Sequence, residues 1–486
     1  MRPGLRLFVV TLALVLLSGC ERYVQRPLIG DKILASVERK RRLPDAAFLN
    51  DESLEGSDAS AKIAPVSFTF SRAVALMKDN SPALKELRAE YDTMQALASV
   101  KTPLPNPAFE AGPLYGFGPK VSSLYRLQPF GSLSFSIPTG QRLKRQDELN
   151  QASAEAAYVE SQAKHRELYL ELRKSYTRLA LGRQRSAMRR DLADSAEKST
   201  SLTKKLIEAG LATELDAGLI ELEHVKLKTE AFTAEAELSN IRGDMSQTIG
   251  VHADHFTQLP DEMLPKLPET LPSLDDLRKI LLNNSPDLAR IRARYELAER
   301  ELHLQLAKQY PDFQIGPKFE NDQGEKKTTV GLTLGLDIPL FDRNQQGIAS
   351  AKQKREEIRV KFEAAANRAL AALDRAYANN KLAFDKLQML KTLVLPRAEK
   401  NSALAKKGIE AGTSDTLKYL ETERNQRAVS LDVLETEMTL RSAWVELEQA
   451  IGYPLLPFPN ESPSDTPPLG TPSPIVNCPI CKEPVK

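Results

Sequence analysis

Two pairs of side chains in this 486-residue sequence have a spacing that chemistry could use. Cys478 and Cys481 form C-P-I-C near the C-terminus, and His252 and His255 form H-A-D-H. A tetrahedral zinc site takes four ligands, so a lone CxxC is half a site, a local disulfide or a metal-collecting tail. The N-E-S-P-S-D-T-P-P-L-G-T-P-S-P before it is rich in Pro and Ser, and the expectation over 457–486 is a disordered tail without a firm metal role. The His pair lacks the i, i+4 spacing of a helical zinc motif and follows a helix-ending Ile249-Gly250. Neither a G-x-S-x-G elbow nor a phosphate-binding loop is present. With no constellation of nucleophile, base and orienting group, the expectation is a protein that is not an enzyme and uses no cofactor.

The third thiol, Cys20, has a clearer setting. Arg2 and Arg6 precede a ten-residue apolar run, Phe8 to Leu17, and Leu17-Ser18-Gly19-Cys20 follows. The run is too short to cross a bilayer, which takes about 20 apolar residues. A charged start, a short apolar core and small residues before Cys read as a signal peptide over 1–19, and the end resembles the bacterial lipobox. Cys20 is then expected to carry diacylglycerol and an N-acyl chain and to anchor a segment over 20–66. Glu21 stands where an inner-membrane retention signal usually places Asp, so the expected destination is the outer membrane.

Charge narrows the partners. Lys plus Arg number 67 and Asp plus Glu 65, a balance that argues against nucleic acid and against a polybasic arm. Aromatic residues are only 6% of the chain, and the surplus lies in Ala, Leu, Glu, Lys and Arg, the alphabet of long helices.

The elements that position these residues occur twice. Lys204-Lys205-Leu206-Ile207-Glu208-Ala209-Gly210 returns 202 positions later as Lys406-Lys407-Gly408-Ile409-Glu410-Ala411-Gly412. Ser81-Pro82 matches Ser285-Pro286 at an offset of 204, Ile137-Pro138 matches Ile338-Pro339 at 201, and Ile249-Gly250 matches Ile451-Gly452 at 202. So small a drift means a duplicated half-molecule. The expected halves span 67–255 and 271–456, joined by a linker over 256–270. Each half opens with a helical segment (68–101 and 273–309) that ends at a Pro-containing break. A β section follows, expected over about 107–137 and about 312–340. Next comes a long, uninterrupted, Ala-rich helical pattern (142–208 and 342–409), a tip turn at about 209–214 and 411–416, and a further helix ending at Ile-Gly. At 1.5 Å per residue the long helix reaches roughly 100 Å, a length that needs lateral coiled-coil support. The short helices of each half together match it in length, so two stacked short helices are expected to pair alongside one long one.

In the second half Val330, Leu332, Leu334, Leu336 and Ile338 alternate with Gly331, Thr333, Gly335 and Asp337. Leu133, Phe135 and Ile137 alternate with serines in the first. Two strands per half with one apolar face suit transmembrane strands, a soluble hairpin packed on the coiled coil being the alternative. Four strands leave open edges, which lipid does not tolerate, so other copies must close the barrel.

On these features the chain resembles the TolC-like outer membrane efflux protein family over roughly residues 66–455. The resemblance rests on the duplicated order of elements, on N-S-P, on I-E-A-G-L-A-T-E-L and I-E-A-G-T-S-D-T-L at the turns, and on the closing I-G. It implies a mainly α fold with a transmembrane β-barrel: a homotrimer with a 12-strand β-barrel in the outer membrane and a 12-helix α-barrel across the periplasm. Its implied partners are a periplasmic adaptor (membrane fusion protein), an inner-membrane RND-type pump and outer membrane lipid. Asp337 to Ile348, D-I-P-L-F-D-R-N-Q-Q-G-I, resembles the cobalt-zinc-cadmium branch, which implies heavy-metal cations as cargo; multidrug efflux, type I secretion and a periplasmic adaptor lipoprotein are the alternatives.

The same resemblance implies a closed periplasmic end just after the tip turns, with Asp216, Ser414, Asp415, Lys418 and Glu421 as gate candidates. In one member of that family two acidic residues form consecutive rings; here Lys418 occupies one of those positions, and opposite charges in a narrow lumen cancel. Ala209, Gly210, Leu211, Ala411, Gly412 and Thr413 are the expected adaptor contacts. Pro396 interrupts the second long helix without a counterpart in the first, and the expectation is a kink.

Overall fold

The computed structural model describes residues 23–25, 28–42, 68–115, 127–208, 213–256, 260, 263–268, 270–322, 327–410 and 416–468. The chain divides after Ala61 into two units. In the first, helix α1 spans Gly30–Arg41.

The second unit carries both halves. The first half runs α2 (Phe70–Asn80), α3 (Pro82–Ser99), β1 (Ala108–Tyr115), β2 (Leu127–Ile137), α4 (Arg142–Glu208) and α5 (Glu214–Ile249). The second runs α6 (Leu274–Asn284), α7 (Pro286–Ala307), β3 (Phe313–Asp322), β4 (Lys327–Leu336), α8 (Gln345–Met389), a π turn (Leu390–Val394), α9 (Leu395–Glu410) and α10 (Thr416–Ile451). The expected single helices over 68–101 and 273–309 are each broken in two, at Ser81 and at Ser285. Pro82 and Pro286 start the second pieces at the first helical position, where a missing N–H costs nothing. Ser285 also caps α7, its side chain accepting from the Leu288 N–H.

This break lets the short helices stack. The helix-ending glycines lie against it: Gly250 and Gly452 have φ of +86° and +72°, in the left-handed region. A Cβ on Gly250 would stand 2.7 Å from the Asn80 carbonyl oxygen and 3.2 Å from Pro82 Cδ. One on Gly452 would stand 2.5 Å from the Asn284 oxygen and 2.8 Å from Pro286 Cδ. The N-S-P and I-G motifs are thus the two sides of one joint, where the end of α5 meets the start of α3 and the end of α10 meets the start of α7. Four columns result. In one half of their length the packing order is α3, α4, α7, α8; in the other it is α5, α4, α10, then α8 and α9.

The second long helix is not uninterrupted. Leu172 and Leu373, both fully buried, are equivalent at an offset of 201, whereas the buried Ala196 and Ala398 are equivalent at 202. One residue has entered between them, and the π turn lies there, with the Leu395 N–H donating to the Leu390 oxygen five residues back. The buried seam of α8 runs Leu373, Ala376, Asn380, Ala383, Leu387, Leu390, spaced by three and four as in a coiled coil. Continued without a break it would bury 394, 397 and 401; instead those are exposed, while Ala398 and Ser402 are buried. The wide turn absorbs the extra residue, returns the seam to its partner, and ends two residues before Pro396. Asn380 stands in the seam where the first half has Leu179, a polar choice of the kind that sets register at some cost in stability.

The core differs between halves. Leu277, Leu281, Leu288, Leu373, Leu440, Trp444 and Leu447 fill the second. The first is aromatic and closes only with the chain's last described segment. Phe458 stacks on Phe70 with centroids 4.3 Å apart and meets Tyr176 edge-on at 5.4 Å. Beside it Arg173 is buried, its side chain 1% exposed, between Glu448 on α10 and Glu461. Its Nε and Nη2 donate to Glu448 at 2.9 and 3.1 Å, its Nη1 donates to Glu461 at 2.9 Å, and its Nη2 also reaches the Leu456 oxygen. Burial alone would lower the Arg173 pKa; Glu448 and Tyr169 more than offset this and hold it above its ordinary value. Ser71 donates to the Asn460 oxygen and Lys78 to that of Ser464. The disordered tail expected from 457 is therefore corrected over 457–468: composition misses the fact that a buried guanidinium elsewhere needs Glu461.

Replacing Gly250 or Gly452 by Ala forces a left-handed backbone on a residue with a clashing Cβ. Each variant is expected to lose about 1–3 kcal/mol in denaturant titrations of the purified protein. Arg173→Met strands two buried carboxylates and is expected to cost about 3–5 kcal/mol in the same assay, more than either glycine change.

Candidate functional site

The four strands form one antiparallel sheet in the order β1-β2-β3-β4. Phe109 pairs with Leu133, Phe319 with Val330, Pro317 with Leu332 and Ile315 with Leu334, so apolar positions of neighbouring strands share one face. That face is open. Val330, Leu332 and Leu334 are 71–73% exposed and Phe109 73%, a burden that water would not permit on a finished surface. Among the described residues β1 bonds only to β2 and β4 only to β3, so both outer edges of the sheet lack a strand there.

Between α4, α7 and α8 lies an open cavity of about 850 Å³ lined by charges of both signs, among them Glu160, Glu167, Lys174, Arg290, Arg294 and Arg368. Arg290 pairs with Glu160 at 2.9 Å, with Asp287 at 2.8 Å and with Glu167. Burial opposes its charge, but the bond to Glu167 and the nearby Glu160 and Asp287 raise its pKa overall. Such internal pairing leaves little net field to draw a single ion.

At the far end, toward the tip turns, Arg424 on α10 reaches Glu223 on α5 at 3.5 Å and so links the two halves. Arg427, one turn on, bonds Glu423 at 3.2 Å and Ser199 Oγ of α4 at 3.5 Å. Arg424 is 70% exposed, so its pair is worth about 0–1 kcal/mol and holds the helices only loosely.

Of the gate candidates, Lys418 and Glu421 lie exposed near the start of α10, and Asp216 lies in the first turn of α5. Ser414 and Asp415 fall outside the described residues, as do Ala209, Gly210, Leu211, Ala411, Gly412 and Thr413 and the thiols Cys20, Cys478 and Cys481. Glu223, Arg424 and Arg427 were not among the sequence candidates. They stand 12 to 15 residues past the A-G glycines, and extending the search three turns along each returning helix reaches them. His252 of the H-A-D-H pair bonds Asp254 at 3.0 Å.

Residues 277–453 match the family described as "Outer membrane efflux protein". That match covers the second half of the chain, from α6 to α10. The chain is 22% identical over 392 residues to the cobalt-zinc-cadmium resistance protein CzcC of Cupriavidus metallidurans, covering 78% of this chain and 90% of that one. The fold is that of the outer-membrane channel OprN, with a TM-score of 0.65, 19% identity, and 79% and 89% of the two chains covered. It is also that of VceC of Vibrio cholerae, with a TM-score of 0.63, 15% identity, and 79% and 96% covered.

The double variant Arg424→Gln/Arg427→Gln tests the looseness of the tip. Global stability is expected to change by less than about 1 kcal/mol, because Arg424 is exposed and Arg427 pairs with Glu423 four residues away on the same helix. Amide exchange over residues 416–430 is expected to accelerate severalfold; unchanged exchange shows that these bonds do not hold the end together.

Proposed function

We propose that the chain is the outer-membrane channel subunit of a tripartite efflux system. Three copies close a 12-strand β-barrel and a 12-helix α-barrel, and substrate passes through passively. A periplasmic adaptor meets the tip turns, and an RND-type inner-membrane pump supplies the driving force. Cys20 carries the diacylglycerol and N-acyl anchor. Neither catalysis nor a bound cofactor enters this role.

The observation that carries the reading is the sheet with two unpaired edges and a bare apolar face. In lipid such edges are tolerated only in a closed barrel, and four strands are too few to close one. Eight strands would leave an interior filled by side chains, whereas twelve leave a lumen. The helical columns point the same way. The outer columns expose Leu215, Leu219, Leu222 and Phe232 on α5, and Leu382, Met389 and Leu393 on α8 and the π turn, as faces for neighbouring copies. The likeness to a cobalt-zinc-cadmium resistance protein supports heavy-metal cations as cargo, with selectivity residing mainly in the pump. The constriction is assigned to the returning helices, to Asp216, Ser414, Asp415, Lys418 and Glu421 together with the Arg424–Glu223 link.

A heat-resistant trimer in outer-membrane fractions is expected, and in planar bilayers Glu421→Gln/Asp216→Asn is expected to raise single-channel conductance. A monomer that stays soluble without detergent overturns the channel; unchanged conductance overturns the gate assignment alone. Cells lacking the protein are expected to accumulate zinc, cobalt or cadmium, and normal metal content together with drug sensitivity overturns the cargo.

A further inference from the structure

The near-zero net charge of the chain hides a local excess. Between Glu21 and Arg42 there are seven basic residues against three acidic ones. The expectation of no polybasic arm is corrected here, because a sum over 486 residues averages the cluster away. Helix α1 gathers it: Arg39, Lys40 and Arg41 fill the last turn, and Arg42 follows. Cations suit a helix C-terminus, which accounts for one or two of them but not for four in a row.

The same helix has an apolar side. At about 100° per residue Ile33, Leu34 and Val37 fall in one arc, with Ala35 opposite. Ile33, Leu34 and Val37 are 41–59% exposed, Leu28 and Ile29 just ahead are 90% and 43%, and no residue of the helix is buried. An apolar stripe beside a dense basic end is the composition of a helix that lies in a membrane interface. Reach agrees. Gly30 lies ten positions after Cys20, a span of at most about 36 Å.

We propose that α1 is a second membrane-attachment element, seating Ile33, Leu34 and Val37 among acyl chains while Arg39 to Arg42 pair with the headgroup phosphates of an anionic phospholipid leaflet. Its nearness to the bilayer rests on the acylation of Cys20 proposed above. A basic juxtamembrane cluster is attracted to such a surface within a Debye length, so the contact is selective for anionic lipid. The acyl chains hold the chain at the membrane, and the helix fixes how the following segment leaves it.

The full-length protein, with Cys478→Ala and Cys481→Ala, is spin-labelled in turn at Ile33→Cys, Val37→Cys and Ala35→Cys. It is then reconstituted in vesicles of phosphatidylethanolamine and phosphatidylglycerol. The ratio of oxygen to nickel-chelate accessibility is expected to be severalfold higher at 33 and 37 than at 35. That contrast is expected to shrink in phosphatidylcholine vesicles and after Arg39→Gln, Lys40→Gln, Arg41→Gln and Arg42→Gln are combined. Equal accessibility at all three positions overturns the proposal. So does a contrast that survives unchanged in phosphatidylcholine, which means that protein covers the face. Mass spectrometry of the Cys20 peptide separates the two readings. An acylated chain with three equally wet labels refutes the helix alone; in an unacylated chain the anchor fails while the labels still decide the helix.

Discussion

The structure depends on a joint used twice. A long helix must be flanked along its whole length, and no single partner is long enough. The molecule therefore sets two short helices end to end, and the ends must meet without leaving a gap or a clash. Gly250 and Gly452 meet that demand with a left-handed backbone and no Cβ, and Pro82 and Pro286 start the next helix against them. Each column then runs past its long neighbour as though continuous. The sheet at one end and the turns at the other are placed by that continuity.

From the joint follows the incompleteness of a single copy. Four columns packed in series have two outer members, and four strands in series have two outer edges. Ordinary soluble domains avoid long bare edges and apolar flanks. Here both recur on the same elements at both levels, helical and β, so the surfaces left uncovered in one copy are consistent with a ring of copies. The π turn serves the same economy. It takes up one inserted residue without letting the seam of α8 and α9 rotate away from α10.

Much of this was legible. The long helix over 142–208 has the bounds of α4, because an Ala-rich pattern with no Pro and a single glycine, Gly182, runs unbroken between two turn signals. The strands were visible as alternation. The duplicated motifs marked the joint, although not that N-S-P and I-G touch, since contact between residues 170 apart is not a property of either motif. The π turn was latent in a change of repeat offset from 201 to 202, which reads equally well as a loop insertion. The tail over 457–468 and the basic end of α1 were missed for a shared reason. Composition reports averages, whereas Glu461 is ordered by one buried guanidinium and Arg39 to Arg42 act as a cluster. At the candidate gate Glu223, Arg424 and Arg427 were missed because pairing across helices depends on how two halves approach.

The buried Arg173 has one more consequence. Its partners come from Glu448 and Glu461, hundreds of residues later in the chain, and Phe458 must arrive before the aromatic core around Phe70 can close. A polypeptide synthesised from its N-terminus therefore carries the cation long before the anions that make its burial tolerable. Without residues 448–461 the aromatic core around Phe70 lacks Phe458 and the guanidinium lacks both carboxylates.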